Sequence, residues 1–309
     1  MLEINKIYEG DCLEVMKQID DNSIDLVLCD LPYGTTACKW DTIIPFEPLW
    51  KQYKRIIKDN GAIVLTASQP FTSILVMSNI EMFKYEWIWI KSHPSNSLLA
   101  KKQPLKYHEN IVVFYNMKPT YNPQFTVGNI NHSRKRKDGM NSNILGAKIN
   151  IVELKYDGKK YPKSYIQDNS YLRGNLLHPT QKPVALFEYL IKTYTNEGDL
   201  VLDNCAGSGT TGVACQNLNR NYILIEKEPK YYDIILKRLS MINKQKSNEI
   251  CGWLEYKTDG IWTKEDGKRF CYKCGKMIKP GDRVLEHVTS PHRGGRGHWS
   301  YAHIGGCPN

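Results

Sequence analysis

The sequence predicts an α/β fold: a mostly parallel sheet covered by helices on both faces, with an inserted polar segment and a small C-terminal domain. Three observations carry it. Short apolar or β-branched runs alternate with helical patterns over residues 1–246. The run Leu200 to Asp203 enters a glycine turn that opens onto a helix. After residue 247 the alternation stops, and Cys, His, Gly and Trp concentrate instead.

In chain order, the first strand is Ile7 to Glu9, closed by Gly10, and the helical pattern Leu13 to Ile19 follows. Ile24 to Cys29 is a second apolar run, closed by Asp30, with Phe46 to Ile57 as the next helix. Ala62 to Ala67, Trp87 to Lys91 and Asn110 to Tyr115 are further strands; the first opens after Gly61 and the last closes at Asn116. Trp87 and Trp89 fall on one face of their strand, which favours core packing over base stacking. Residues 118–175 break the rhythm, being rich in Asn, Lys, Arg, Tyr and Gly, and read as an insertion. The helix Pro183 to Tyr194, the strand Leu200 to Asp203, the helix Thr211 to Leu218, the strand Tyr222 to Glu226 and the helix Lys230 to Asn243 complete the large domain, leaving 247–309 as the small one.

At 309 residues, one large domain plus an attachment is expected. No apolar stretch approaches bilayer-spanning length, which excludes a helical membrane protein. The N-terminal stretch lacks the regions of a signal peptide, so a cytoplasmic location is expected. In that reducing compartment nine cysteines point to metal rather than to disulfides. A formal charge of +10 suits a polyanionic partner, although many basic proteins have none.

Gly207-Ser208-Gly209-Thr210-Thr211-Gly212 satisfies G-x-G-x-x-G, and Glu226 ends the next apolar run. Glycines let backbone approach a ligand, a helix N-terminus offers free N–H groups, and the acid can accept from ribose hydroxyls. A nicotinamide dinucleotide and S-adenosylmethionine compete for such a site. Little more than one βα unit follows Glu226, so the rest of the sheet must come from the N-terminal half. The sheet then reads as circularly permuted, with the strand before Gly10-Asp11 next to the one ending at Glu226, followed by the one ending at Cys29-Asp30.

Asp30-Leu31-Pro32-Tyr33, then His178-Pro179-Thr180-Gln181-Lys182-Pro183, then Asp203-Asn204-Cys205-Ala206-Gly207-Ser208-Gly209, in that order, resemble the β-class amino-methyltransferases of DNA. The resemblance covers most of Met1 to about Asn243. It departs at Leu31, where the family usually has Pro, and at Asn204-Cys205, where it usually has Pro-Phe. It implies a Rossmann-like S-adenosylmethionine-dependent fold and methyl transfer to the N6 amine of adenine in double-stranded DNA. Asp30 favours adenine, because Ser at that position goes mostly with cytosine N4. It further implies Asp11 at the cofactor adenine, Glu226 at its ribose, and Gly207, Ser208, Gly209, Thr210 and Thr211 at its methionine portion, with Asp203 and Cys205 beside them. Thr180, Gln181 and Lys182 would lie at the methionine carboxylate. A homodimer and a cognate restriction endonuclease, as in restriction-modification, are the partner expectations that come with it.

The chemistry explains the tetrapeptide. An exocyclic amine is a poor nucleophile because its lone pair is delocalised into the ring. Asp30 and the Leu31 carbonyl can each accept one amine hydrogen, Pro32 fixes the backbone, and Tyr33 can stack on the base. The base must first be flipped out of its duplex. Arg134, Lys135, Arg136 and Lys137 in the insertion, and Lys101 and Lys102, are candidate phosphate contacts, or else solvated surface cations.

Cys271-x2-Cys274 with His303-x3-Cys307 suits structural, tetrahedral zinc, with His287, His292 and His298 as competing ligands. The segment is similar to the zinc fingers of poly(ADP-ribose) polymerases. Three further accounts compete for the whole chain: a catalytically inactive DNA-binding module, a nicotinamide-dependent oxidoreductase, and a protein-glutamine methyltransferase, which usually carries Asn in place of Asp30.

Overall fold

The computed structural model describes residues 2–36, 38, 41–127, 159–167 and 181–241, together with the backbone of 284–288 and 299–303. In chain order the elements are β1 (Lys6–Glu9), α1 (Cys12–Val15), β2 (Ile24–Asp30), α2 (Phe46–Ile56), β3 (Ile57–Ala67), α3 (Phe71–Ser78), β4 (Phe83–Ile90) and β5 (His108–Phe114). Then come β6 (Thr126–Val127), β7 (Lys159–Lys160), β8 (Tyr165–Gln167), α4 (Val184–Tyr194), β9 (Leu200–Asp203), α5 (Thr210–Asn217) and β10 (Asn221–Glu226). Residues 229–241 form a further helix, α6. None of the described helices is long and apolar enough to cross a membrane.

Eight strands form one sheet in the order β1-β10-β9-β2-β3-β5-β4-β8. Only β5 runs antiparallel to its neighbours. The fold is therefore a mixed α/β fold with a mostly parallel sheet. The central strands are apolar on both faces, as a doubly covered sheet demands: Leu26, Val27 and Leu28 of β2, and Ile63, Val64 and Leu65 of β3, are fully buried. Against them α2 turns one stripe, Leu49, Trp50, Tyr53 and Ile56, at helical spacing.

Chain contacts divide the molecule into Met1–Arg238 and Leu239–Asn309. Within the second unit, β11 (Val284–Val288) pairs antiparallel with β12 (Trp299–His303).

Besides the short β6–β7 pair in the insertion, three elements differ from the sequence expectation. Ile57 does not end α2; it starts β3, which carries on through Lys58, Asp59 and Asn60. The helix α3 was not expected, because Phe71–Ser78 is apolar nearly all round and shows no helical stripe. The third is β8, in the polar insertion, which pairs with β4 and extends the main sheet.

Candidate active site

A cavity of about 840 Å3 lies over the carboxyl ends of the strands, where an open α/β sheet places its ligands. One half of its lining comes from the residues after β1 and the ends of β9 and β10, the other from the end of β2 and its loop, the residues after β3, and β4 and β5.

On the first half, β9 ends at Asp203 and the chain turns through Gly209 into α5. Gly209 has φ +77°, and a Cβ added there would meet the Ile235 side chain of α6 at 2.8 Å. Only glycine suits that corner. The turn is pinned from both sides. Ala206 N–H donates to the Ile225 carbonyl at 2.9 Å and Gly207 N–H to Glu226 Oε2 at 2.7 Å. Glu226 Oε1 accepts from Glu228 N–H at 2.8 Å, and the Lys227 N–H also bonds the carboxylate. From α2, Tyr53 O–H reaches Asn204 Oδ1 at 2.6 Å. Asp11 Oδ1 caps α1 through Leu13 N–H at 3.0 Å, while Lys227 Nζ lies 3.1 Å from Oδ2.

Asp203 is buried beneath the turn, accepting from Cys205 N–H at 3.1 Å and from the Thr211 hydroxyl. Burial pushes its carboxyl up to about 6 despite those donors. The folded value thus exceeds the ordinary carboxylate value, and the stability this site contributes is lost as pH rises through about 6. Asp203→Asn is expected to remove that loss. Its melting temperature relative to wild type should climb between about pH 4 and 6.5, by the equivalent of about 1–3 kcal/mol, and level off above that. A difference that stays flat with pH would show that Asp203 does not titrate there.

On the second half, Asp30 is the last residue of β2. Its Oδ1 accepts from Tyr33 O–H at 2.7 Å and from the Thr66 hydroxyl of β3. Its Oδ2 accepts from Lys182 Nζ at 2.7 Å. Burial, with Asp30 and Glu109 adding to it, pushes the Tyr33 hydroxyl well up, so it stays a donor. The Tyr33 ring stacks on Phe71 at 5.2 Å, and Lys182 Nζ lies 5.6 Å over it. After Tyr33 the chain wraps around Asp41, whose carboxylate accepts N–H groups from Gly34, Thr35 and Thr36 at 2.9, 2.9 and 2.7 Å. Burial opposes its charge, but those donors outweigh it and hold the Asp41 carboxyl below the usual range.

Lys182 is buried at 7 % exposure between two acids, Asp30 and Glu109 of β5, the latter 3.4 Å away. Glu109 Oε1 is bonded to Lys91 Nζ at 2.9 Å. The result is an alternating row of charges, Asp30, Lys182, Glu109, Lys91, across three strands. Both tryptophans of β4 are buried as expected. Trp87 Nε1–H donates to Tyr194 O–H at 2.7 Å, whereas Trp89 lines the cavity and its Nε1–H has no partner among the described residues.

The cavity lining brings together Asp11, Asp30, Leu31, Pro32, Tyr33, Gln181, Lys182, Asp203, Cys205, Gly207, Ser208, Thr210 and Glu226. Lys101 and Lys102 are exposed and do not line it. Thr180, Arg134, Lys135, Arg136, Lys137, Cys271, Cys274 and Cys307 lie outside the described residues, and His303 is described only as the backbone end of β12. Sequence reasoning missed Thr66, Asp41, Lys91 and Glu109. The available signals were Thr66 and Glu109 as lone polar residues within or at the head of apolar runs.

The sheet order, the glycine corner beneath Glu226 and the acid at the end of β2 define a methyltransferase-type α/β enzyme. A family model described as DNA methylase (N6_N4_Mtase) matches residues 24–237, and the chain belongs to that family. It is 30% identical over 276 residues to the type II methyltransferase M.HinfI of Haemophilus influenzae, covering 80% of this chain and 71% of that one. It is 29% identical over 276 residues to the DNA adenine methyltransferase YhdJ of Escherichia coli, covering 84% and 90%. Among solved structures, the M1.HpyAVI–SAM complex superposes with a TM-score of 0.52 at 26% identity, covering 76% of this chain and 98% of that one.

Proposed function

We propose that this chain methylates the N6 amine of an adenine flipped out of duplex DNA, with S-adenosylmethionine as donor. The observation that carries the proposal is that Asp30, Tyr33 and Lys182 line one cavity of about 840 Å3 together with the Gly207–Ser208 turn and Glu226. The residues of the first half fit the donor. Gly209 lets the turn close against Ile235 of α6, the turn presents Gly207 and Ser208 to the cavity, and Glu226 and Asp11 are acids suited to the hydroxyls and amine of a nucleoside. Bound there, S-adenosylmethionine supplies an electrophilic methyl. Asp30 and the Leu31 carbonyl accept the hydrogens of the target amine and localise its lone pair, and Tyr33 and Thr66 hold the Asp30 carboxylate in place. The pairing of β1 with β10 supports a circularly permuted sheet, in which both ends of the methyltransferase unit build the donor half.

Adenine rather than cytosine rests on Asp30 in the tetrapeptide and on the similarity to YhdJ. The test is to express the chain in cells lacking their own DNA methylation and to sequence the DNA by a method that distinguishes modified bases. N6-methyladenine in a fixed context is the expected result; N4-methylcytosine in its place would replace the adenine assignment, and unmodified DNA would overturn the activity. Zinc at Cys271, Cys274, His303 and Cys307 is proposed on spacing alone, and elemental analysis of the full-length protein decides it.

A further inference from the structure

We infer that Lys182 has two stations, one on Asp30 and one on Glu109, and that engaging the target amine goes with its move from the first to the second. The inference rests on the proposed role of Asp30 as acceptor for that amine.

The charge row is unevenly bonded. Lys182 Nζ sits 2.7 Å from Asp30 Oδ2, and both of these groups face the cavity. It is also 3.4 Å from Glu109 Oε2, yet that oxygen is buried and makes no hydrogen bond among the described residues. A buried carboxylate oxygen whose only donor is an ammonium held at ion-pair distance by a second acid is under-bonded, and a short shift of Lys182 would complete its bond. The other Glu109 oxygen is tied to Lys91, so Glu109 stays in place whichever station the lysine takes. Burial pushes the Glu109 carboxyl up, but Lys182 and Lys91 outweigh it and hold it below the ordinary range; the second station is therefore always charged.

The chemistry gives the move its purpose. Methyl transfer to an amine carries positive charge onto the nitrogen, which the carboxylate of Asp30 can stabilise. An ammonium bonded to the same carboxylate opposes that charge and weakens the acceptor. With Lys182 on Glu109, Asp30 Oδ2 becomes free for the amine, while Tyr33 and Thr66 keep Oδ1 where it was. Before the base arrives, the first station leaves no unpaired charge on Asp30. Glu109 is thus a positioning residue that acts through Lys182.

The groups facing Lys182 are Asp30 from β2, the Tyr33 ring from the following loop and Glu109 from β5, with Lys91, just past β4, behind Glu109. Burial works against the lysine's charge, but its two acids outweigh it and hold the ammonium above the ordinary lysine range. Removing one acid must lower that value.

The experiment measures methyl transfer by the full-length protein at saturating donor and DNA from pH 6.5 to 9.5. In Glu109→Gln, kcat is expected to fall about 10- to 100-fold at neutral pH, with both KM values within about threefold. The deficit should narrow as pH rises, because a lysine with one acid loses its proton earlier and releases Asp30. The double variant Lys182→Met/Glu109→Gln should be faster than Glu109→Gln alone. It also serves if the single variant does not fold, since it removes one charge of each sign and leaves Asp30 and Lys91 in balance, and it should then keep kcat within about tenfold of wild type. An unchanged kcat in Glu109→Gln, a loss flat in pH, or a double variant slower than the single one would overturn the two stations. Turnover retained by Asp30→Ala would instead remove the role of Asp30 beneath them.

Discussion

Asp30→Ala is expected to lower methyl transfer by roughly a thousandfold or more while donor affinity stays within about threefold of wild type. The separation follows from the layout. The donor half of the cavity is built on the Asn204 to Gly209 turn and Glu226, none of which bonds to Asp30. The carboxylate instead accepts from Tyr33, Thr66 and Lys182, and all three lose their partner in the variant. Because Lys182 then has only Glu109 and a cavity opens at the end of β2, Asp30→Asn is the necessary companion: it keeps the shape, loses the charge, and should be nearly as inactive. Single-turnover transfer of a tritiated methyl group and calorimetric titration of the donor read the two halves separately. Transfer within tenfold of wild type in either variant would take the acceptor role away from Asp30.

Gly209→Val is expected to do the reverse, costing donor affinity about a hundredfold and leaving the Asp30 cluster intact. A β-branched residue at φ +77° is strained by about 1–3 kcal/mol, and its Cβ would press on Ile235 Cγ2 at 2.8 Å, adding about 1–3 kcal/mol of overpacking. The turn must move, and with it the Gly207 N–H that Glu226 accepts. Gly209→Ala should show a weaker form of both effects. Unfolding midpoints and donor titration measure them, and native affinity in the valine variant would show that the corner does not shape the donor site.

Much of this arrangement is legible in the chain. The strands β2, β9 and β10 are apolar runs, broken only by Asp25 in β2, that end in acids, and the glycine corner after β9 marks a nucleoside-type site. What is not legible depends on distance in sequence or on missing periodicity. Lys58, Asp59 and Asn60 look like a turn, yet they extend β3, and a register shift between Ile24 and Leu26 of β2 takes up the irregularity. The helix α3 is apolar on too many sides to show a stripe. Lys182, placed by resemblance near the methionine carboxylate, is found bonded to Asp30, 152 residues away, and neither residue type announces that bond. Glu109 looks like the polar start of an ordinary strand until β5 is laid beside β4 and brings Lys91 to it.

The pairing of Lys6–Glu9 with Ile223–Glu226 has a consequence for biogenesis. A ribosome adds roughly 5–20 residues per second, so the strand made first waits on the order of tens of seconds for its neighbour to emerge. Until then Asp11 and Glu226 cannot face a common ligand, and a nascent chain should bind no donor however well its central strands have already condensed.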